Sequence, residues 1–129
     1  MAIVHAIIAL ALLQFLIFSV FVARARVKSG VEAPSTTGDS VFERYFRVHY
    51  NTMEQLVLFV PGMLLFGTYV SSAVASGLGL LFIVGRTVYF RAYVADPARR
   101  GPGFGLSILP ILILLLGGLG GALWAAFSG

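Results

Sequence analysis

The stretch that most limits what this chain can become is Glu43 to Glu54, Glu-Arg-Tyr-Phe-Arg-Val-His-Tyr-Asn-Thr-Met-Glu, which holds two of the five acids, two of the nine bases and one of the two histidines. It runs without a break into Gln55 and an apolar remainder, Val57 to Val70. As a helix that remainder covers about 21 Å at ~1.5 Å per residue, short of a hydrocarbon core about 30 Å thick. A helix crossing a membrane here must therefore carry its polar half into the membrane as well. Ionisable groups at such depth face a bundle interior or a wet cavity, and they mark a functional site by default.

The rest of the chain requires that membrane. Hydrophobic residues make up 59% of it and charged residues 11%, where a soluble domain carries about 25% charged residues. Ala2 to Ala23 has only His5 and Gln14 as strongly polar side chains, and Phe104 to Phe127 has no charge at all. A third run, Ala73 to Ala95, gains Arg86 and Arg91 near its end. With the mixed segment, these runs predict an all-α membrane protein: one transmembrane domain over residues 1–129, a four-helix bundle with helices at about 2–26, 41–70, 73–95 and 104–127. No Lys or Arg precedes the first run, which exceeds a signal-peptide core and is followed by its basic cluster, so it is expected to be a span.

Charge in the loops sets the expected orientation. Arg24, Arg26 and Lys28 follow the first helix and Arg99 and Arg100 the third, whereas Ser71 to Ser76 is uncharged. Positive residues mark the cytoplasmic side. Both termini are then extracytoplasmic, for a bacterial inner membrane, or lumenal, for the endoplasmic reticulum. The net charge of +4 follows from this topology, and no nucleic-acid partner is expected. The absence of cysteine rules out disulfides, thiolate metal sites and a cysteine nucleophile. Two histidines far apart in sequence do not make a metal site, which normally needs three or four ligands.

Spacing organises the polar residues. Arg44, Arg47, Asn51 and Glu54 are three, four and three apart and share one helical stripe, with His49 off it. In the third helix Arg86, Tyr89 and Tyr93 form a second stripe near the same membrane face, and Arg91 points elsewhere. Asp96-Pro97 should end that helix, leaving Arg100 at the mouth. Two interpretations of the stripes remain open on spacing alone. They are interhelical glue, with Arg47 joined to Glu54 through Asn51 and an aromatic belt with snorkelling arginines, or they hold a ligand. Arg26, Arg47, Asn51, Glu54, Arg86, Tyr89, Tyr93 and Arg100 together suit a small molecule with several carboxylates and one amino group. No Ser or Cys pairs with His49 as a hydrolase would require. In the fourth helix, Gly117 and Gly121 form a small-residue packing face, and Trp124 reads as an interface anchor.

The sequence Phe42-Glu-Arg-Tyr-Phe-Arg47-Val-His49-Tyr-Asn51-Thr-Met-Glu54, then Arg86-Thr-Val-Tyr89-Phe-Arg-Ala-Tyr93 and Arg100, closely resembles the MAPEG family, the membrane-associated proteins in eicosanoid and glutathione metabolism. The resemblance covers most of the chain. It implies a homotrimer of four-helix protomers that binds glutathione between subunits near the cytoplasmic face, as co-substrate and without a metal. Carried over by position, it makes Arg26, Arg47, His49, Asn51, Glu54, Arg86, Tyr89 and Tyr93 glutathione-binding residues. His49 stands where relatives have His or Gln. Arg100 falls where the leukotriene C4 synthase branch has the arginine thought to stabilise the thiolate, which makes it the expected catalytic residue. Gln55 stands where that branch carries Tyr, so the resemblance points to a microsomal glutathione transferase that conjugates lipophilic electrophiles from the bilayer, with peroxidase activity as a further capacity.

Two other functions fit the size of the chain. A non-catalytic relative that binds a lipid or a partner would be expected to lose the Arg and Glu pattern, which is present. A small multidrug exporter would be expected to carry a proton-coupling acid in its first helix, and Ala2 to Ala23 has none.

Overall fold

The computed structural model describes residues 1–129 as four long helices and no strand. Helix α1 spans Ala2–Ser29 and ends where Gly30 takes the left-handed conformation, φ 76°. No breaker precedes that glycine, so the helix runs three residues past the expected end at Arg26. Helix α2, Ser40–Tyr69, is capped by Asp39, whose Oδ1 accepts a hydrogen bond from the Phe42 amide at 2.9 Å. The cap satisfies one of the orphan amides of the first turn, where Glu43 also suits the helix dipole. The helix then continues through Pro61 as one 30-residue element.

Helix α3, Ser72–Ala95, is capped by Ser71 and stops one residue before Asp96, which is extended ahead of Pro97 as the proline requires. A 3₁₀ turn, Pro97–Arg99, leads into α4, Gly101–Phe127. The Gly101-Pro102-Gly103 segment, which lies outside the expected helix at about 104–127, opens this helix instead. A proline in the first turn lacks only an amide that has no partner there anyway.

Helices α2 and α3 form the centre of the bundle, and α1 and α4 flank them, each packed on both. The loops at residues 30–39 and 96–100 lie at one end. Met1 packs beside the α2–α3 turn at the other, where its sulfur meets the Ser72 hydroxyl. By length and composition α1, α3 and α4 are each apolar enough to cross a membrane, and α2 is not. Its polar half nonetheless lies alongside the other three helices, as its 14-residue apolar remainder requires.

The interior divides by depth. Toward the termini lies an apolar cluster of Val4, Ile7, Ala11, Leu56, Phe59, Met63, Phe66, Ala75, Phe82, Ile111 and Leu114. Phe59 and Phe82 stack at its centre, with ring centroids 4.0 Å apart. Gly117 and Gly121 admit α2 here, and a methyl group on either would collide with Phe66 or with the Tyr69 backbone. Toward the loops lies a smaller cluster of Phe18, Val48 and Tyr89, bordered by Phe90, Tyr93 and Val94. Between the two clusters sits a polar layer.

Candidate functional site

That layer is built around Arg86. Its side chain is fully buried, and three neighbours take hydrogen bonds from it. Nε donates to Ser107 Oγ at 2.9 Å, and Nη1 donates to Asn51 Oδ1 at 2.7 Å and to Thr52 Oγ1 at 3.3 Å. The acceptors are themselves held, since Thr52 donates to the Val48 carbonyl and Ser107 to the Gly103 carbonyl. The guanidinium carbon lies 4.3 Å from the centre of the Tyr89 ring, a distance at which a cation is drawn to an aromatic face. Nη2, also buried, has no partner. No carboxylate pairs with Arg86, and the single ion pair in the structure, Arg99 with Asp96, is on the surface.

Backbone contact between α3 and α4 makes this site possible. Gly85, beside Arg86, lies against Leu106 and Ser107 so closely that a Cβ would overlap the α4 backbone, and Gly103 lies equally close to the Tyr89 backbone. One glycine on each helix brings Ser107 within reach of Arg86 and presses Tyr89 into the interface. The Gly103-xxx-Ser107 spacing is itself a small-residue pattern that could have identified this face.

The α2 stripe is divided among several tasks. Asn51 turns inward to Arg86. Arg44 donates to the Val94 and Ala95 carbonyls at 3.1 and 3.2 Å and closes the last turn of α3. Arg47 and Glu54 are exposed and form no ion pair, so the internal Arg47–Glu54 glue is not made. His49 is half-buried and stacked on Phe15 of α1, with ring centroids 4.5 Å apart and planes within 7°. On α3, Tyr93 is half-buried with its ring 5.6 Å from that of Tyr89.

Two of the expected arginines are engaged in their own loops. The Arg26 guanidinium donates to the Ser35 carbonyl at 2.8 Å and the Val31 carbonyl at 3.5 Å and lies 4.6 Å over the Phe42 ring, which fixes the loop at residues 30–39. Arg100 is exposed and donates to the Pro97 carbonyl at 2.8 Å. Within one chain, then, Asn51, Arg86, Tyr89 and Tyr93 come together directly. Arg47, Glu54 and Arg100 stand open at the surface, and Arg26 and His49 are held by other contacts. Thr52 and Ser107 are partners that sequence reasoning missed.

The MAPEG family model matches residues 3–120. An uncharacterized protein of Synechocystis is 43% identical over 116 residues, which is 90% of this chain and 85% of that protein. Microsomal glutathione S-transferase 2 of Homo sapiens is 38% identical over 80% of this chain and 71% of its own length. Leukotriene C4 synthase of Cavia porcellus is 34% identical over 80% of this chain and 69% of its own.

Proposed function

The chain belongs to the MAPEG family of membrane proteins, and from that premise we propose that it is a membrane-bound glutathione transferase joining the glutathione thiolate to lipophilic electrophiles from the bilayer. Peroxidase activity toward lipid hydroperoxides is a second use of the same site. The observation that carries this reading is Arg86, a buried arginine within a transmembrane bundle that has three neutral hydrogen-bond acceptors, no carboxylate and one unpartnered nitrogen. A charged side chain at the middle of a membrane helix costs about 2.5–3.5 kcal/mol. An anionic ligand that completes the site offsets that cost, and glutathione brings two carboxylates.

In this reading Arg86 and Arg47 meet the carboxylates, Glu54 meets the ammonium group, and Asn51, His49, Tyr89, Tyr93 and Arg26 orient the peptide. Glu54 stands 14 residues into α2, about 21 Å along the helix, and is exposed on a single chain. Charges at that depth do not face hydrocarbon stably. A neighbouring copy in a homotrimer covers them, so the ligand lies between subunits near the basic face, and both termini lie on the opposite, extracytoplasmic or lumenal side.

The chemistry needs an anionic sulfur. A free thiol with pKa near ~8.5 is a few per cent thiolate at neutral pH, and lowering that pKa by about 2 requires about 2.7 kcal/mol of preferential interaction with the anion. One guanidinium in a partly dry site supplies that much. We assign it to Arg100, which would turn from the Pro97 carbonyl toward the sulfur. The thiolate attacks an electrophilic carbon; a C–S bond forms as halide leaves, or as an epoxide C–O bond opens and its oxygen takes a proton. With a hydroperoxide, sulfur attacks the O–O bond and releases the alcohol. The resulting glutathione sulfenic acid condenses with a second glutathione to give the disulfide and water.

Calorimetry of the purified, detergent-solubilised protein with glutathione, followed by turnover of an aryl halide and of a lipid hydroperoxide, tests the proposal. Absence of a binding heat would end it. An Arg100→Ala protein should bind glutathione yet lose most of its thiolate absorbance and about 25-fold of its conjugation rate at neutral pH, the fall in thiolate fraction as the pKa returns from about 6.5 to about 8.5. If absorbance and rate persist, the thiolate is stabilised elsewhere.

A further inference from the structure

Outside the Arg86 layer, a groove of about 950 Å³ opens between the loop-side end of α1 and the start of α2. Val20, Phe21, Val41 and Tyr45 supply its apolar surface, and Arg24 and Lys28 stand at its rim. The aromatic part is firmly backed, because Phe21 and Tyr45 both pack against Phe90 of α3, with centroids 5.4 and 5.7 Å away. Arg24 and Lys28 are four residues apart and so share one side of α1. Neither forms an ion pair or a hydrogen bond, whereas Arg26 between them is bonded through Nη1 to its loop. The one acid at the groove, Asp39, caps α2 with its carboxylate.

We propose that this groove binds an anionic phospholipid from the leaflet on the loop side, with the phosphate between Arg24 and Lys28 and an acyl chain against Val20, Phe21 and Tyr45. Three features favour that occupant. The two cations are free while their neighbour is not. They sit at the end of the span, where a headgroup lies, with the apolar surface starting directly beneath. The volume is at the upper end of the range of about 300–1,000 Å³ for ligand pockets, too large for a lone phosphate. A second, mostly apolar groove of about 560 Å³, lined by Leu12, Leu13, Leu16 and Ser19, lies along the preceding turns of α1. Basic pockets between transmembrane helices on the basic side of a membrane hold lipid headgroups in this way.

The test uses the full chain in mixed micelles, with phosphatidylglycerol and phosphatidylcholine as probes and retained lipid counted by native mass spectrometry. Each basic side chain near an anionic headgroup is worth about fivefold in binding, so R24Q/K28Q should weaken phosphatidylglycerol retention about 30-fold. R91Q/R99Q, which removes the same net charge away from the groove, should leave it within about twofold. Equal losses in the two variants would reduce the effect to general surface charge and overturn the site, as would equal retention of phosphatidylcholine. Glutathione binding, read on the same samples, confirms that each variant is folded. A photo-crosslinking residue at Val27, which is 83% exposed at the groove, should yield an adduct with phosphatidylglycerol. An adduct with a second copy of the chain would show that a subunit fills the groove and would overturn the proposal.

Discussion

The two halves of the bundle are held together differently. The half toward the termini is a continuous apolar cluster drawn from all four helices, in which the Phe59–Phe82 stack and the glycines of α4 let side chains meet as they would in any close-packed interior. The half toward the loops has a three-residue apolar cluster and places a buried arginine beneath it. Eight of the nine bases, all but Arg86, lie at the loop ends of their helices or in the loops themselves. One half is built for cohesion, and the other trades cohesion for an electrostatic site. In the first half substitutions should change stability and leave ligand affinity alone; in the second the reverse should hold for the residues around Arg86.

The largest effect should come from the cohesive half. Phe59→Ala removes a fully buried ring from between α2 and α3 and should destabilise the protein by about 3–5 kcal/mol. Thermal unfolding in detergent should report this as a large fall in the melting temperature. Molecules that remain folded should bind glutathione with unchanged affinity. Weakened affinity in proportion to the lost stability would mean that the two halves are coupled.

Arg86→Met makes the opposite test. It removes one charged partner for a carboxylate, worth about 2 kcal/mol, and glutathione affinity by calorimetry should fall about 30-fold. Because the arginine is buried without a counter-charge, an apolar replacement of similar length should leave the melting temperature unchanged or raise it. A fall like that of Phe59→Ala would make Arg86 structural glue and remove the main support for a ligand site.

The same contrast explains what the sequence made legible. The four helices follow from hydropathy, and the α2 and α3 stripes follow from 3.6-residue spacing, because both depend on residues near one another in the chain. Spacing also placed Asn51 and Arg86 near one membrane face, and they meet. It could not say which neighbour each polar residue would find. Arg44 shares a stripe with Arg47 but closes the end of α3, and Arg26 was legible as a cation though not as the brace of its own loop. Ser107 and Thr52 are short hydroxyl side chains in apolar surroundings, and what makes them partners of Arg86 is the crossing at Gly85 and Gly103, a property of two helices at once. The contacts expected of Arg47, Glu54 and Arg100 are not made within one chain, and spacing alone carries no signal for where their partners lie.

Arg44→Ala should have a smaller effect, because the side chain is half-buried and serves one helix end. Loss of a cation from a helix C-terminus costs about 1 kcal/mol. Hydrogen exchange should quicken at the amides of Ala92 to Asp96, with glutathione affinity changed less than about twofold. A large loss of affinity would place Arg44 with the site residues of its stripe instead.

The smallest effect is expected at the boundary between the halves. Gln14 of α1 donates from Nε2 to the Ile83 carbonyl and the Thr87 hydroxyl of α3, each at 2.9 Å, while its Oε1 is buried without a partner. Gln14→Leu therefore removes two favourable bonds and one unfavourable atom together. Interhelical hydrogen bonds in membrane proteins average about 0.6 kcal/mol, and Thr87 can turn its hydroxyl to the Ile83 carbonyl, a bond it already makes at 3.2 Å. The gains and losses nearly cancel, so the melting temperature should shift by the equivalent of no more than about 1 kcal/mol. Glutathione affinity should not move, because Gln14 bonds to α3 and to none of the groups around Arg86. If affinity falls severalfold while stability holds, the polar layer extends across the bundle to α1, and the site is wider than the Arg86 cluster.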